Sequence, residues 1–307
     1  MIIARNITDL IGKTPLLRIN RLTGPEDATI YAKLEWYNIG GSVKDRMGLY
    51  LIEYAEAAGK LNNNKTILEA TSGNTGISLA MIAAAKGYKI SVVMPESVSS
   101  ERRQIITAHG AELILSPGEK GTGGAIELKQ KLLHDHPDKY VDLDQFKDPA
   151  NILAHYETTG KEILQQTNGA VDMIVVGIGT AGTGVGTSMR VKEYNPTIKI
   201  VGVMPALGVS IQGLRNPGEP YPTQLFRRER FDELIEISAG ELPNTFEIVQ
   251  KAAKKEGLFI GLSAGAILYI ALKKAKELGT GKTIVTVLPD NGMKYFSTPL
   301  FRSSQPH

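Results

Sequence analysis

Short runs of apolar, β-branched residues alternate with longer helix-patterned segments almost from one end of the chain to the other. Runs such as Met173-Ile174-Val175-Val176 show no polar alternation, so both of their faces are expected to be buried, as in parallel sheets covered by helices. Strands are expected at residues 29–35, 66–69, 89–94, 112–115, 173–176, 199–203, 234–237 and 283–288. Helices are expected at 43–58, 75–86, 100–109, 123–134, 150–165, 182–193, 245–256 and 263–278. In the first of them Met47, Tyr50, Leu51, Tyr54 and Ala55 keep to one helical face. This alternation predicts an α/β fold. A chain of 307 residues is most naturally two domains. The polar stretch 144–150 (DQFKDPA) separates two α/β blocks, and the Pro/Gly-rich loop 207–230 is long enough to be functional or mobile.

The absence of cysteine removes disulfides, thiolate nucleophiles and Cys-ligated metals together, and fits a reducing compartment. A net charge of +3 with no dense Lys/Arg run gives no reason to invoke nucleic acid or a membrane surface. Residues 1–11 lack the basic and apolar regions of a signal peptide. The longest apolar stretch, 77–85, is interrupted by Ser78 and falls short of the roughly 20 residues a membrane span needs. A cytoplasmic protein is expected. The five histidines (His109, His134, His136, His155, His307) show no ligand spacing beyond the polar pair His134 and His136, so no metal site is expected.

Ser42-Val43-Lys44-Asp45 reads as a variant capping box, with Ser42 as N-cap and Asp45 at the third helical position. Lys44 then lies in a first helical turn, where the partial positive charge of the helix N-terminus is unfavourable to an ammonium. That field would depress the amine's pKa, as a covalent-catalysis lysine requires. Alone, it reads as a surface lysine bending outward.

Three turns rich in glycine and hydroxyls follow strand-like runs. Thr71-Ser72-Gly73-Asn74-Thr75-Gly76 opens a helix, and its hydroxyls, glycines and helix N-terminus suit a carboxylate or phosphate, beyond what one N-cap needs. Residues 177–184 (GIGTAGTG) formally match a dinucleotide fingerprint, but the next strand ends Val203-Met204-Pro205 without the acid a ribose would need. A phosphate monoester of a non-dinucleotide cofactor fits better, while a nucleotide and a structural turn remain open. Residues 261–266 (GLSAGA), taken alone, are an ordinary helix start.

Together these motifs resemble the fold-type II pyridoxal-phosphate enzymes, in particular the cysteine synthases of the O-acetylserine/O-phosphoserine sulfhydrylase branch. The resemblance runs from Ile11-Gly12-Lys13-Thr14-Pro15-Leu16, through GGSVKDR (40–46), TSGNTG (71–76) and the stretch 145–160, to GIGTAGTG, GLSAGA and Leu288-Pro289-Asp290. It implies a tryptophan synthase β-like architecture of two open, twisted, mostly parallel sheets flanked by helices. Residues 1–39 and 151–307 would form the larger, cofactor-binding domain, and 40–150 a smaller, mobile substrate-binding domain. Lys44 would be the Schiff-base lysine and the catalytic base. Asn74 would bond the cofactor's phenolic oxygen, Gly179, Thr180, Ala181, Gly182 and Thr183 its phosphate, and Ser263 its pyridine nitrogen. Thr71, Ser72, Thr75 and Gln145 would bind the substrate carboxylate. Two departures stand out: Ile39 where the family often has proline, and Asn291 where a smaller residue is common.

The resemblance implies β-replacement on an O-activated serine by a sulfide donor, through an aminoacrylate, to give L-cysteine. A neutral hydroxyl such as Ser263 should not hold the pyridine nitrogen protonated, which favours prompt β-elimination over transamination. Arg215, in Gly213-Leu214-Arg215-Asn216, resembles the arginine that meets the substrate phosphate in the O-phosphoserine-using subgroup; a solvated loop arginine is the plain alternative. The sulfur donor would be sulfide or a thiocarboxylated carrier protein, and the assembly a homodimer. Cystathionine β-synthase-type condensation with homocysteine is the nearest alternative. A non-catalytic Rossmann-like protein binding an anion or nucleotide is the alternative of another class.

Overall fold

The computed structural model describes residues 3–298; Met1, Ile2 and residues 299–307, His307 among them, lie outside the described part. Its strands form two separate sheets. The first has six strands: β1 (Leu16–Arg18), β2 (Thr29–Leu34), β7 (Met173–Gly177), β8 (Lys199–Pro205), β9 (Glu233–Ile237) and β10 (Thr283–Leu288). They lie in the order β1-β2-β10-β7-β8-β9, and only β1 is antiparallel to its neighbour. The second is wholly parallel: β3 (Thr66–Ala70), β4 (Lys89–Pro95), β5 (Glu112–Ser116) and β6 (Tyr140–Asp142), in the order β5-β4-β3-β6.

The β-branched runs sit where parallel strands need them. Ile174, Val176, Ile200 and Val285 pack on one face of the large sheet, and Val175, Val201, Val203 and Ile284 on the other. Each face is covered by helices, as the unbroken apolar runs required. α7 (Gly182–Tyr194) lies on the first, and α8 (Leu242–Lys251) and α9 (Leu262–Leu278) on the second. The smaller sheet carries α1 (Lys44–Ala57), α2 (Asn74–Lys86) and α3 (Ser100–Ala108) on one face, and α4 (Gly121–Asp135) on the other. Ile7 and Ile11, from the start of the described chain, pack against the smaller sheet's core.

The segment expected as one helix at 150–165 is α5 (Ala150–Ala154), a π-helical turn (His155–Thr159) and α6 (Gly160–Gln166) in direct succession. The π turn inserts where α7 approaches closely: a Cβ on Gly186 would collide with the Ile152 carbonyl and with His155. Such single π turns recur at functional sites.

Candidate active site

The chain leaves parallel strands at their C-terminal ends and enters helices at once, and these junctions face one another. β3 runs into α2, β7 into α7, and the segment after β10 lies beside the start of α1 through the Val43 N to Pro289 O hydrogen bond (2.9 Å). Ligands bind at this end of open α/β sheets. Here a cavity of ≈ 540 Å³ opens between the two sheets. Lys44, Thr71, Ser72, Asn74, Thr75, Gln145, Gly179, Thr180, Arg215 and Ser263 all line it. Residues expected as one site from six separate stretches of sequence therefore meet in space. Ala181, Gly182 and Thr183 stand one step behind that lining, at the start of α7.

None of the four helices that begin here is closed by a capping side chain. The expected capping box at Ser42 forms only in part. Ser42 Oγ accepts from Lys44 N at 3.3 Å, but the Asp45 carboxylate reaches back to Gly40 N (2.7 Å) instead of to Ser42. Thr71 does not cap α2 either: its Oγ1 accepts from Gly73 N (3.0 Å), within its own turn. The first-turn N–H groups of α2 and α7 thus keep their capacity for a bound anion.

Lys44 sits in the first turn of α1 and its amine is brought down from 10.5 to about 8. Burial is the larger cause, opposed by the Asp290 carboxylate. Desolvation, rather than the helix terminus, accounts for the depression. An amine with a pKa near 8 can hold and release a proton close to neutrality.

The remaining residues are held by specific partners. Gln145 Oε1 accepts from Thr75 Oγ1 at 2.6 Å, and its Nε2 donates to the Ala70 carbonyl at 3.1 Å. Asn151 Nδ2 donates to Thr180 Oγ1 (2.9 Å), which leaves the Thr180 hydroxyl proton free for another acceptor. Thr183 Oγ1 pairs with Nε2 of the buried His155 (3.1 Å), whose Nδ1 pairs with Thr159 (2.8 Å). Burial and the nearby Arg46 and Lys44 push His155 well below its usual range, so the imidazole is neutral. Gly179 has room for no side chain, since its Cβ would lie 2.7 Å from the Gly213 carbonyl. Gly213, at φ +94°, needs glycine to bring the backbone close to Ser263.

Arg215 lies across the cavity mouth with its guanidinium 5.4 Å from the Phe146 ring centre. Its Nη2 donates to the Pro220 carbonyl (2.6 Å), and its Nε donates weakly to Glu219 Oε2 (3.4 Å). The buried Nη1 has no hydrogen-bond partner. Glu219 therefore offsets part of the charge while one donor edge stays unused.

Several residues at the site escaped the sequence reading as participants. Arg46 and Glu162 anchor the helix of Lys44, while Asn151 and His155 hold the threonines of the 177–184 turn. Lys294 and Asp290 close the back of the site. Among the described residues no group of three or more His, Asp or Glu is placed to hold a metal ion, and no helix is long and apolar enough to cross a membrane.

This set of groups fits pyridoxal phosphate. A buried-cavity amine of lowered basicity, a hydroxyl on Ser263, uncapped helix N-termini and a glycine cradle closed to any Cβ are the donor set that an aromatic aldehyde phosphate needs.

The sequence matches the family described as pyridoxal-phosphate dependent enzyme over residues 7–290. It is 44% identical over 308 aligned positions to the cysteine synthase of Staphylococcus aureus strain Mu50, covering 96% of each chain. The crystal structure of an O-ureido-L-serine synthase superposes with a TM-score of 0.92 at 35% identity, over 99% of this chain and 97% of that one. A cysteine synthase (OASS) from Entamoeba histolytica superposes with a TM-score of 0.90 at 37% identity, over 99% and 93%. The two-sheet fold, the convergence of glycine-rich turns on Lys44 and these likenesses agree, and the chain belongs to the fold-type II pyridoxal-phosphate dependent enzymes.

Proposed function

We propose that this chain is a cysteine synthase that replaces the β-substituent of an O-activated serine with sulfur to give L-cysteine. The observation that carries this reading is the Lys44 amine, held near pKa 8 in a cavity that Ser263 and the hydroxyls of Thr71, Ser72 and Thr75 also line. Pyridoxal phosphate, when bound, supplies the electron sink that makes the Cα proton removable. The protein's residues do the rest. Lys44 Nζ takes the Cα proton and returns it after sulfur has added. Thr71, Ser72, Thr75 and Gln145 bind and orient the substrate carboxylate at the N-terminus of α2. Asn74, Ser263 and the Gly179–Thr183 turn hold the cofactor ring and phosphate, with Ala181, Gly182 and Thr183 acting through the N-terminus of α7. A neutral Ser263 hydroxyl favours elimination at Cβ over transamination.

O-phosphoserine is the preferred substrate in this reading, because Arg215 lines the cavity and a guanidinium's fixed fork of donors suits a phosphate. Sulfide, or the thiocarboxylate of a carrier protein, supplies the sulfur. Residues 40–150 form the unit that closes on the substrate against 1–39 and 151–307. The protein works in the cytoplasm as a homodimer. An apolar groove between Leu16, Leu17, Trp36, Tyr37, Leu258 and Met293, with Tyr37 62% and Met293 63% exposed, supports self-association.

The test is L-cysteine formation from sulfide with O-phosphoserine and with O-acetylserine, before and after Arg215→Ala. The expected result is a loss of kcat/KM for O-phosphoserine of ten- to a hundredfold, with O-acetylserine changed less than threefold. Equal losses refute the phosphate role, and no cysteine from either substrate refutes the reaction. Homocysteine, tried beside sulfide, separates the cystathionine β-synthase-type alternative.

A further inference from the structure

Lys294 stands behind the site on the short 3-10 turn Gly292–Tyr295, buried, with an amine that can only donate hydrogen bonds. All three of its protons have partners: the carbonyls of Gly40 (3.2 Å) and Gly41 (3.0 Å), and Asn74 Oδ1 (3.1 Å). Gly41, at φ +77°, is in the left-handed conformation, and its ideal Cβ would already lie 3.4 Å from the Lys294 amine. On the other side of Asn74, its Nδ2 donates to Asp290 Oδ2 at 2.7 Å. The same carboxylate oxygen accepts from Tyr295 OH at 2.8 Å, and Asp290 is wholly buried.

An asparagine amide can be turned either way unless its neighbours forbid it. Here they do: an ammonium on one side requires the oxygen, and a carboxylate on the other requires the nitrogen. One Nδ2 proton is taken by Asp290, and the second belongs to a side chain that lines the cavity. We propose that Lys294 and Asp290 are positioning residues that clamp the Asn74 amide so that it presents a hydrogen-bond donor, never an acceptor, to the bound cofactor. The same amine ties Asn74 to the Gly40-Gly41 turn that precedes Lys44, so the donor and the reactive lysine share one anchor.

This inference rests on the reading of Asn74 as the partner of the cofactor's ring oxygen, and the experiment separates the two. The holoenzyme's visible absorption maximum and its cofactor affinity are measured for Asn74→Ala, Lys294→Met, Lys294→Arg and the double variant Asn74→Ala/Lys294→Met. The expected result is a shifted band and an affinity at least fivefold weaker for Asn74→Ala and for Lys294→Met. Lys294→Arg should restore most of both, and the double variant should be no worse than Asn74→Ala. An unmoved Asn74→Ala band overturns the Asn74 reading itself. A shifted Asn74→Ala band with an unmoved Lys294→Met band overturns the clamp, as do additive effects in the double variant. Should Lys294→Met fail to fold, Lys294→Gln, which keeps a donor, is read by the same band: a parental band supports the clamp, and a shift as large as that of Asn74→Ala overturns it.

Discussion

Lys44 pays a desolvation cost that its chemistry uses. Its amine titrates near 8 in the fold and at 10.5 in an unfolded chain. Below pH 8 both states hold the proton and the fold carries the full penalty. Between 8 and 10.5 the unfolded state binds more protons, so stability rises with pH. In the cofactor-free protein, Lys44→Met should therefore stabilise at pH 7 by about 2 kcal/mol, after allowance for the solvent the cavity admits. That gain should vanish above about pH 10.5. Urea denaturation of both proteins across this range is the check, and equal stability at pH 7 would contradict it. The same residue shows how far local reading goes. Its place in a first helical turn could be read from GGSVKDR, but its desolvation comes from walls contributed by residues far along the chain.

The helix α1 is fixed to the rest of the molecule by a buried ionic group two residues beyond Lys44. Arg46 donates to Glu35 Oε2 (2.7 Å) and Oε1 (2.9 Å), and to Glu162 Oε1 (2.6 Å) and Oε2 (2.8 Å). Lys33 Nζ joins Glu162 at 2.7 Å. Burial pushes the Glu162 carboxyl up, but Arg46 and Lys33 more than offset it and hold it at about 2. Arg46→Met leaves Glu35 buried beside no guanidinium, a change that costs about 3–5 kcal/mol. Guanidinium denaturation at pH 7 should show that loss. The deficit should shrink as pH falls below about 4.5, because the parent loses the stabilisation of a depressed carboxylate as pH falls toward its folded pKa. A deficit under 1 kcal/mol at pH 7 would mean the network contributes little. At this scale the strands were legible almost to the residue, since β7 is an unbroken apolar run and β2, β4 and β10 are mostly apolar and β-branched, broken inside only by Lys33, Ser91 and Thr286. β1 and β6 were not, because each is three residues long, lies at a sheet edge and carries no period to read. The π turn at His155–Thr159 was read as plain helix, since one wider turn leaves the apolar spacing on either side intact.

Across the whole molecule, the two sheets meet over the cavity with few bonds at its mouth. Tyr221 OH donates to Glu127 Oε1 at 2.8 Å, and Arg102 Nη1 donates to Gln212 Oε1 at 2.9 Å. In the closing motion proposed above, these bonds favour the closed arrangement. One such bond is worth about 0.5–1.5 kcal/mol. Tyr221→Phe should then raise KM for the amino-acid substrate by roughly two- to tenfold with kcat little changed, and steady-state kinetics decides it. An unchanged KM would remove Tyr221 from the closing seam. The sequence by itself determined the α/β class, the order of most strands and helices, and the motif residues that line the cavity, because apolar period and glycine-rich turns are local properties. Only the tertiary structure decided what those residues feel and touch. Asn74 is oriented by Lys294, 220 positions away, and Asp290, 216 away; Arg46 is paired with Glu162, 116 away. Burial and pairing depend on where the chain returns in space, and no local pattern encodes that distance.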